Sequence, residues 1–430
     1  MTGWAVGLGL VLLTVPGCRD DDDDGPMAAT TGTSGTSTGD PVLTSSGPDP
    51  DSTTVAEDST TQASSSTTQG EPTTTGDETC GDGVPVAGTL CFLPSALVDR
   101  TPTGALALGD LDGNGTLDLL AGHIDSFSVH LGNGDGTFAA PSTVATPAGV
   151  LGLAVGLLDG DPDLDVVAAN TGDDSVGVHL GNGDGTFAAP TLLPVGESPR
   201  GLGVADFDGA GALDLAVANE ASGTVSVLVG QGDGTFAADP PLTVGTSPLA
   251  VATPDLDGDG IPDLAVDNFG AGSISVFLSG PGGFSPEASY TTGIAPRALI
   301  ARDLDGDGAV DLATPNQAND NFSVLRGDGQ GDLAAAEFFD TGGGPREGAA
   351  GDFDGDGLPD VAIALESENA VDILRNDRRD GLSFEVEAPV PTLVRPVVLA
   401  AGDLDGDGVD DIVVGSIEQG GGIAVLMADP

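Results

Sequence analysis

The sequence predicts an all-β fold, a seven-bladed β-propeller of four-stranded antiparallel blades carried on a disordered tether. Three observations predict it. A nonapeptide of the form Asp-x-Asp-Gly-(Asp/Asn)-Gly-x-x-Asp recurs seven times, beginning at Asp110, Leu157, Asp206, Asp255, Asp303, Asp352 and Asp403, in steps of 47, 49, 49, 48, 49 and 51 residues. Each copy is followed by short alternating apolar runs bounded by Gly, Pro and Asn, which read as four strands per period. Residues 81–430 divide into seven units of 50, the size of a four-stranded propeller blade.

The tether comes first. Residues 3–15 form one uncharged apolar run, too short for the roughly 20 residues that span a bilayer as a helix and suited to the core of an export signal over 1–17. Val15-Pro16-Gly17-Cys18 resembles a bacterial lipobox, although no positive residue precedes it, and that resemblance implies lipidation of Cys18. Residues 18–79 then hold an acidic run, Asp20 to Asp24, and a linker in which 25 of positions 25–79 are Ser or Thr. Too few apolar groups are present to offset the entropy of ordering, so the segment reads as a disordered, lipid-anchored spacer. With Cys18 acylated, Cys80 and Cys91 are left to form a disulfide at the mouth of the folded domain, residues 80–430.

Within the repeat, a strand such as Leu215 to Asn219 follows the nonapeptide, then a Gly/Asn/Ser turn and an alternating strand such as Thr224 to Leu228. A Gly-rich hairpin leads into Thr-Phe-Ala-Ala, and a small-residue strand such as Ala105 to Leu108 runs into the next nonapeptide. The last unit stops after its third strand, so Gly88 to Pro94 is expected to supply the missing outermost strand and close the ring. The nonapeptides, with Leu-Gly-Asn-Gly-Asp-Gly-Thr-Phe-Ala-Ala-Pro at 131–141 and 180–190, resemble FG-GAP or VCBS-type repeats. Similar repeats build the propeller of integrin α chains and many bacterial surface proteins. The resemblance implies the fold more strongly than any one function, since that fold hosts adhesins, lectins and some enzymes.

The acids are lopsided, 55 Asp against 13 Glu, and 27 of the Asp lie in the nonapeptides. Ca²⁺ takes six to eight oxygens, and side-chain oxygens at positions 1, 3, 5 and 9 with the carbonyl of position 7 can provide them, while Gly at 4 and 6 permits the tight curl. Five copies are complete: Asp110/Asp112/Asn114/Asp118, Asp255/Asp257/Asp259/Asp263, Asp303/Asp305/Asp307/Asp311, Asp352/Asp354/Asp356/Asp360 and Asp403/Asp405/Asp407/Asp411. The second has Leu157 at position 1 and keeps Asp159, Asp161 and Asp165; the third has Ala210 at position 5 and keeps Asp206, Asp208 and Asp214. About five Ca²⁺ sites are expected, with seven as the upper limit. An EF-hand is excluded, because position 12 is not Glu and the flanks are strands.

The chain has 11 basic residues, all Arg, and a net charge of −57, which excludes nucleic acid as a partner and leaves a lipid as the only membrane contact. Catalytic groups are scarce. His130 and His179 occupy one repeat position and read as strand-surface residues, and no Ser elbow or Cys–His pair is present. Arg326-Gly327-Asp328 falls in the Gly-rich hairpin and reads as coincidence. Arg200, Arg297 and Arg346 each stand six residues before a nonapeptide, directly after a Pro, on the expected face opposite the Ca²⁺ loops; there they are candidate binders of an anionic ligand. The expected function is that of an exported, lipid-anchored or secreted surface protein, a monomeric calcium-stabilised propeller for adhesion to an extracellular glycan or protein. A carbohydrate-active hydrolase or lyase and a structural envelope component are the alternatives.

Overall fold

A computed structural model of the protein describes residues 90–93, 95–377 and 382–428. The expected export signal, Cys18, the tether and Cys80 lie outside these residues; Cys91 is disulfide-bonded. The described chain forms seven antiparallel sheets, and each is a blade. Blade 2 shows the pattern: Val150–Gly156 lies innermost, followed outward by Asp165–Asn170, Ser175–His179 and Thr191–Pro194. Blades 3 and 6 depart from four strands, because their outer strand breaks into two pieces on one partner; Phe236–Ala238 and Leu242–Thr243 both pair with Thr224–Gly230.

Second and third strands are buried on both faces, which is why they read as nearly continuous apolar runs. The core is therefore divided among the interfaces between blades. Leu120, Phe127 and Val129 of blade 1 pack on Leu153, Val166 and Ala168 of blade 2, and each Leu, Val or Phe among them contributes about 1.5–3 kcal/mol by burial. Near the axis the inner strands approach so closely that a Cβ at Gly152 would collide with the Arg200 carbonyl oxygen.

Ring closure is as expected in kind and displaced in position. Phe92 bridges Ala428 as Phe138 bridges Gly132 in blade 1, but the paired outermost strand is Ala96–Asp99 on Gly422–Leu426, downstream of Gly88 to Pro94. The reason is that blade 7 follows blades 1 and 2, in which the outer segment makes a lone bridge at its Phe and regular pairing begins only past the Pro that follows. Leu106 and Leu119 of blade 1 then pack on Val398, Val413 and Ile423 of blade 7, sealing the ring.

Candidate functional site

The nonapeptides join the inner strand of each blade to the second, so all seven loops lie on one face of the ring. Within a loop the acids are held by backbone N–H groups. In blade 4, Asp255 accepts from Gly258 and Gly260 (2.8 and 3.0 Å), Asp257 from Asp259 (3.1 Å), and Asp259 from Ile261 (2.8 Å). Gly258 and Gly260 have φ of 73° and 87°, the left-handed conformation that lets these N–H groups turn inward. The same frame holds Asp303, Asp305 and Asp307, and Asp403, Asp405 and Asp407.

Position 9 behaves differently. Asp263 is buried; its Oδ2 accepts from Leu256 N–H and its Oδ1 from Ser279 N–H, both at 2.8 Å, tying the loop to the third strand. Asp118, Asp165, Asp214, Asp311, Asp360 and Asp411 make the same pair of bonds. This second duty explains why position 9 is kept in the two degenerate loops. Burial pushes these carboxyls up, the two N–H donors offset part of the rise, and neighbouring loop carboxylates add to it; Asp311 reaches about 6 and Asp360 and Asp411 about 7.

Oxygens of Asp110/Asp112/Asp118, Asp206/Asp208/Asp214, Asp255/Asp257/Asp259, Asp303/Asp305/Asp311 and Asp352/Asp354/Asp356 lie within 4.8 Å of one another in each group, so these clusters could hold a metal ion. In loop 1 position 5 is Asn114, whose amide oxygen accepts from the N–H and hydroxyl of Thr116, at 2.8 and 2.5 Å, as Asp259 accepts from Ile261 N–H in loop 4. Loop 1 thus gathers three carboxylates. Loop 3 gathers three as well, despite Ala210. In the second loop Leu157 is exposed where an acid stands elsewhere, while Asp159 and Asp161 keep their turn bonds. The clustered donors are all carboxylate oxygens, which suits a hard cation. Loop 6 tests the fit: Asp352 Oδ1 and Asp354 Oδ2 are buried without a hydrogen-bond donor, a costly arrangement that a cation between them would relieve.

Two couplings between blades were invisible in the sequence. The Gly-rich hairpin of one blade donates an N–H to the position 2 carbonyl of the preceding loop: Gly185 to Leu111, Gly234 to Leu158, Gly331 to Leu256 and Gly136 to Leu404, at 3.0–3.2 Å. Asp410, an extra acid in the last nonapeptide, accepts from Asp352 N–H at 3.0 Å and pins loop 6 to loop 7.

The three arginines lie at the opposite ends of the inner strands, and each is tied to the residue twenty positions on. Arg200 Nε donates to Glu220 at 2.7 Å, Arg297 Nε to Gln317 at 2.6 Å, and Arg346 to Glu366. Arg200 and Arg346 are 6% and 5% exposed, so their guanidiniums are built into the mouth of the channel. Arg297 stacks on Phe269, 4.5 Å from the ring centroid. Arg395, which the sequence did not single out, bridges Glu366 and Glu418. Burial pushes the Glu366 carboxyl up, but Arg346 and Arg395 overcome that and hold it below the usual range.

The histidines also correct the sequence reading. His130 and His179 are each 1% exposed, because the next blade covers the third strand, and burial lowers His179 to about 4. His123 Nε2 and His130 Nε2 both lie 2.9 Å from Ser128 Oγ. His123 occupies the place where Asn219, Asn268 and Asn316 hold Ser226, Ser275 and Ser323, so the pair is a strand-end clasp. Arg326-Gly327-Asp328 is absorbed by the hairpin of blade 5, where Gly327 N–H donates to Asp311 and Asp328 accepts from Gln330.

Residues 158–217, 206–266, 303–363 and 352–414 match the profile of the FG-GAP-like repeat. No curated protein matches the chain. Among solved structures, BBS1N in its complex with ARL6DN is 15% identical, with 80% of this chain and 98% of that one covered and a TM-score of 0.57. Catalytically inactive virginiamycin B lyase from Staphylococcus aureus, crystallised with quinupristin, is 12% identical over 79% and 99% of the chains, with a TM-score of 0.52. A protein from Lactobacillus plantarum is 16% identical over 72% and 87%, with a TM-score of 0.50. At these identities the likeness shows the propeller fold alone.

Proposed function

The chain belongs to the FG-GAP-like repeat family, and on that premise we propose that its propeller is a calcium-stabilised binding module displayed by an exported, lipid-anchored surface protein. The observation that carries the calcium reading is the pair of buried loop oxygens, Asp352 Oδ1 and Asp354 Oδ2, that lack any donor. Bound Ca²⁺ would supply positive charge to each loop. The chain's own residues do the rest: positions 1, 3 and 5 present carboxylates on inward N–H groups, position 9 anchors the loop to its blade, and in loops 1, 2, 4 and 7 the next hairpin holds the position 2 carbonyl. An occupied loop of this kind then stiffens the seam between two blades. That supports a rigid platform whose opposite face offers the ligand surface.

On that face the strand-end and entry loops carry exposed Ile124, Ile294 and Val394, and Arg395 is part-exposed, a mixture suited to a protein or to an acidic glycan. Binding of the full chain to a glycan array and to cell surfaces, with Ca²⁺ and with EDTA, tests the reading. Signal that disappears with chelator, and with charge-reversing Arg395→Glu, is the expected result. Binding through neither, in a chain shown to hold Ca²⁺, removes the ligand role.

A further inference from the structure

Immediately before the residue that donates to the position 9 Asp, the seven blades carry Leu131, Leu180, Val229, Leu278, Arg326, Arg375 and Met427. The aliphatic members fill space under the next hairpin; a Cβ on Gly185 would meet Leu131 at 2.8 Å, and one on Gly331 would meet Leu278 at 2.6 Å. Blades 5 and 6 place a guanidinium there instead. Arg326 Nη1 lies 3.8 Å from Asp305 Oδ2, and Arg375 Nη1 lies 4.0 Å from Asp354 Oδ2, so each faces the position 3 carboxylate of its own loop. Each is held there from behind by a Glu of the outer strand, Arg326 by Glu337 and Arg375 by Glu385, both at 2.5 Å.

The arrangement occurs twice with different outer-strand partners, and in both blades it sets a fixed positive charge beside a loop whose own acids are complete. At about 4 Å the guanidinium neutralises part of the carboxylate charge without a hydrogen bond to that oxygen, and Asp354 Oδ2 remains without a donor. The same positive charge opposes an incoming divalent cation. An open cavity of about 410 Å³ lies against Asp305, Asp307 and Arg326.

Resting on the calcium reading above, we infer that Arg326 and Arg375 set the metal affinity of loops 5 and 6, dividing the loops that hold all four acids into two classes. Loop 4, flanked by Leu278, represents the tight class. Loops 5 and 6 form a weaker class that keeps its shape when metal is scarce. Loops 1 and 3, each one carboxylate short, are the same in wild type and in the variants below, so they cancel in the comparison.

Calorimetric titration of the full chain with CaCl₂ at low salt, with melting in EDTA alongside, tests this. Classes separated on the order of tenfold in Kd are expected, the effect of about one partly screened charge. The double variant Arg326→Leu/Arg375→Leu installs the residue of blades 1, 2 and 4; its weak class should tighten by on the order of tenfold and its melting in EDTA should fall. Arg326→Gln/Arg375→Gln removes the charge with less change of shape, and moves binding the same way even if the Leu pair folds poorly. Binding unchanged or weakened in the Gln variant overturns the inference while leaving the calcium reading intact. A wild-type chain that takes up no Ca²⁺ defeats both.

Discussion

The two faces of the ring hold their acids by opposite means. On the arginine face, Glu220, Glu366 and Glu418 each meet a guanidinium from the chain itself. On the loop face, carboxylates converge on one another and are held mainly by backbone N–H groups, which orient charge without cancelling it. On the arginine face these acids therefore have their counter-ions within the chain. On the loop face only Arg326 and Arg375, among the described residues, stand near the clustered carboxylates, so on the proposed calcium reading that side of the molecule is the one that responds to divalent cations.

Removing metal is the largest way to break the contrast. Five sites held at ten times their Kd would together contribute about 7 kcal/mol, so EDTA should lower the melting temperature by many degrees, while 0.5 M NaCl without EDTA should change it far less. An unchanged midpoint in EDTA would erase the distinction between the faces.

Next comes position 9. Asp263→Ala leaves two buried N–H groups without acceptors, a loss of about 3 kcal/mol or more in urea unfolding, and this should persist in EDTA because the staple needs no metal. Asp259→Ala, at an exposed position that accepts only from Ile261, should cost less than about 1 kcal/mol in EDTA and show its effect only with Ca²⁺ present.

Asp267 sharpens the comparison from the arginine side. It is fully buried at the end of a second strand, accepts from the N–H groups of Leu249 and Ala250, and its Oδ2 has no donor. Burial pushes its carboxyl up to about 7, against the downward pull of those two N–H groups and of Arg297. With the folded value above the unfolded one, its stabilising contribution is full below pH 4 and is lost as pH rises through about 7. Measured in EDTA, wild type minus Asp267→Asn should lose about 2 kcal/mol between pH 5 and pH 8. Parallel curves would refute the assignment.

The smallest effect belongs to the Arg200–Glu220 pair. Arg200→Ala strands a carboxylate that is 23% exposed, at a cost of about 1 kcal/mol after solvent screening. Arg200→Leu with Glu220→Phe copies the Leu249 and Phe269 pair of blade 4 and should recover most of it, as read by urea midpoints.

Much of this was legible in the chain. The nonapeptide period marked the blades, Asp and Gly at fixed offsets marked the loops, and the truncated last unit announced that an N-terminal strand closes the ring. Other features were hidden because one letter carries two duties. Position 9 looks like a ligand, yet its two N–H partners lie seven and sixteen residues away along the chain. Asn114 fits the ligand pattern by spacing, while its oxygen serves the Thr116 turn. Arg200, Arg297 and Arg346 stood out by position, whereas their partners appear only when strand register brings residues twenty apart together. Arg326 was read as part of a tripeptide, and its equivalence to Leu131 and Arg375 shows only in the shared bond to position 9.

By itself the sequence determined the number of blades, the face on which the acid loops gather and the oxygen character of the donors. These follow from local rules: strand alternation, glycine at left-handed turns and the fixed step of the repeat. Tertiary structure alone decided which acids meet a guanidinium, which cluster on one another and which serve as staples, because those outcomes depend on register between strands and on contacts between blades. His130 and His179 show the same division, since a third strand looks half-exposed in isolation and is buried once the next blade is laid against it.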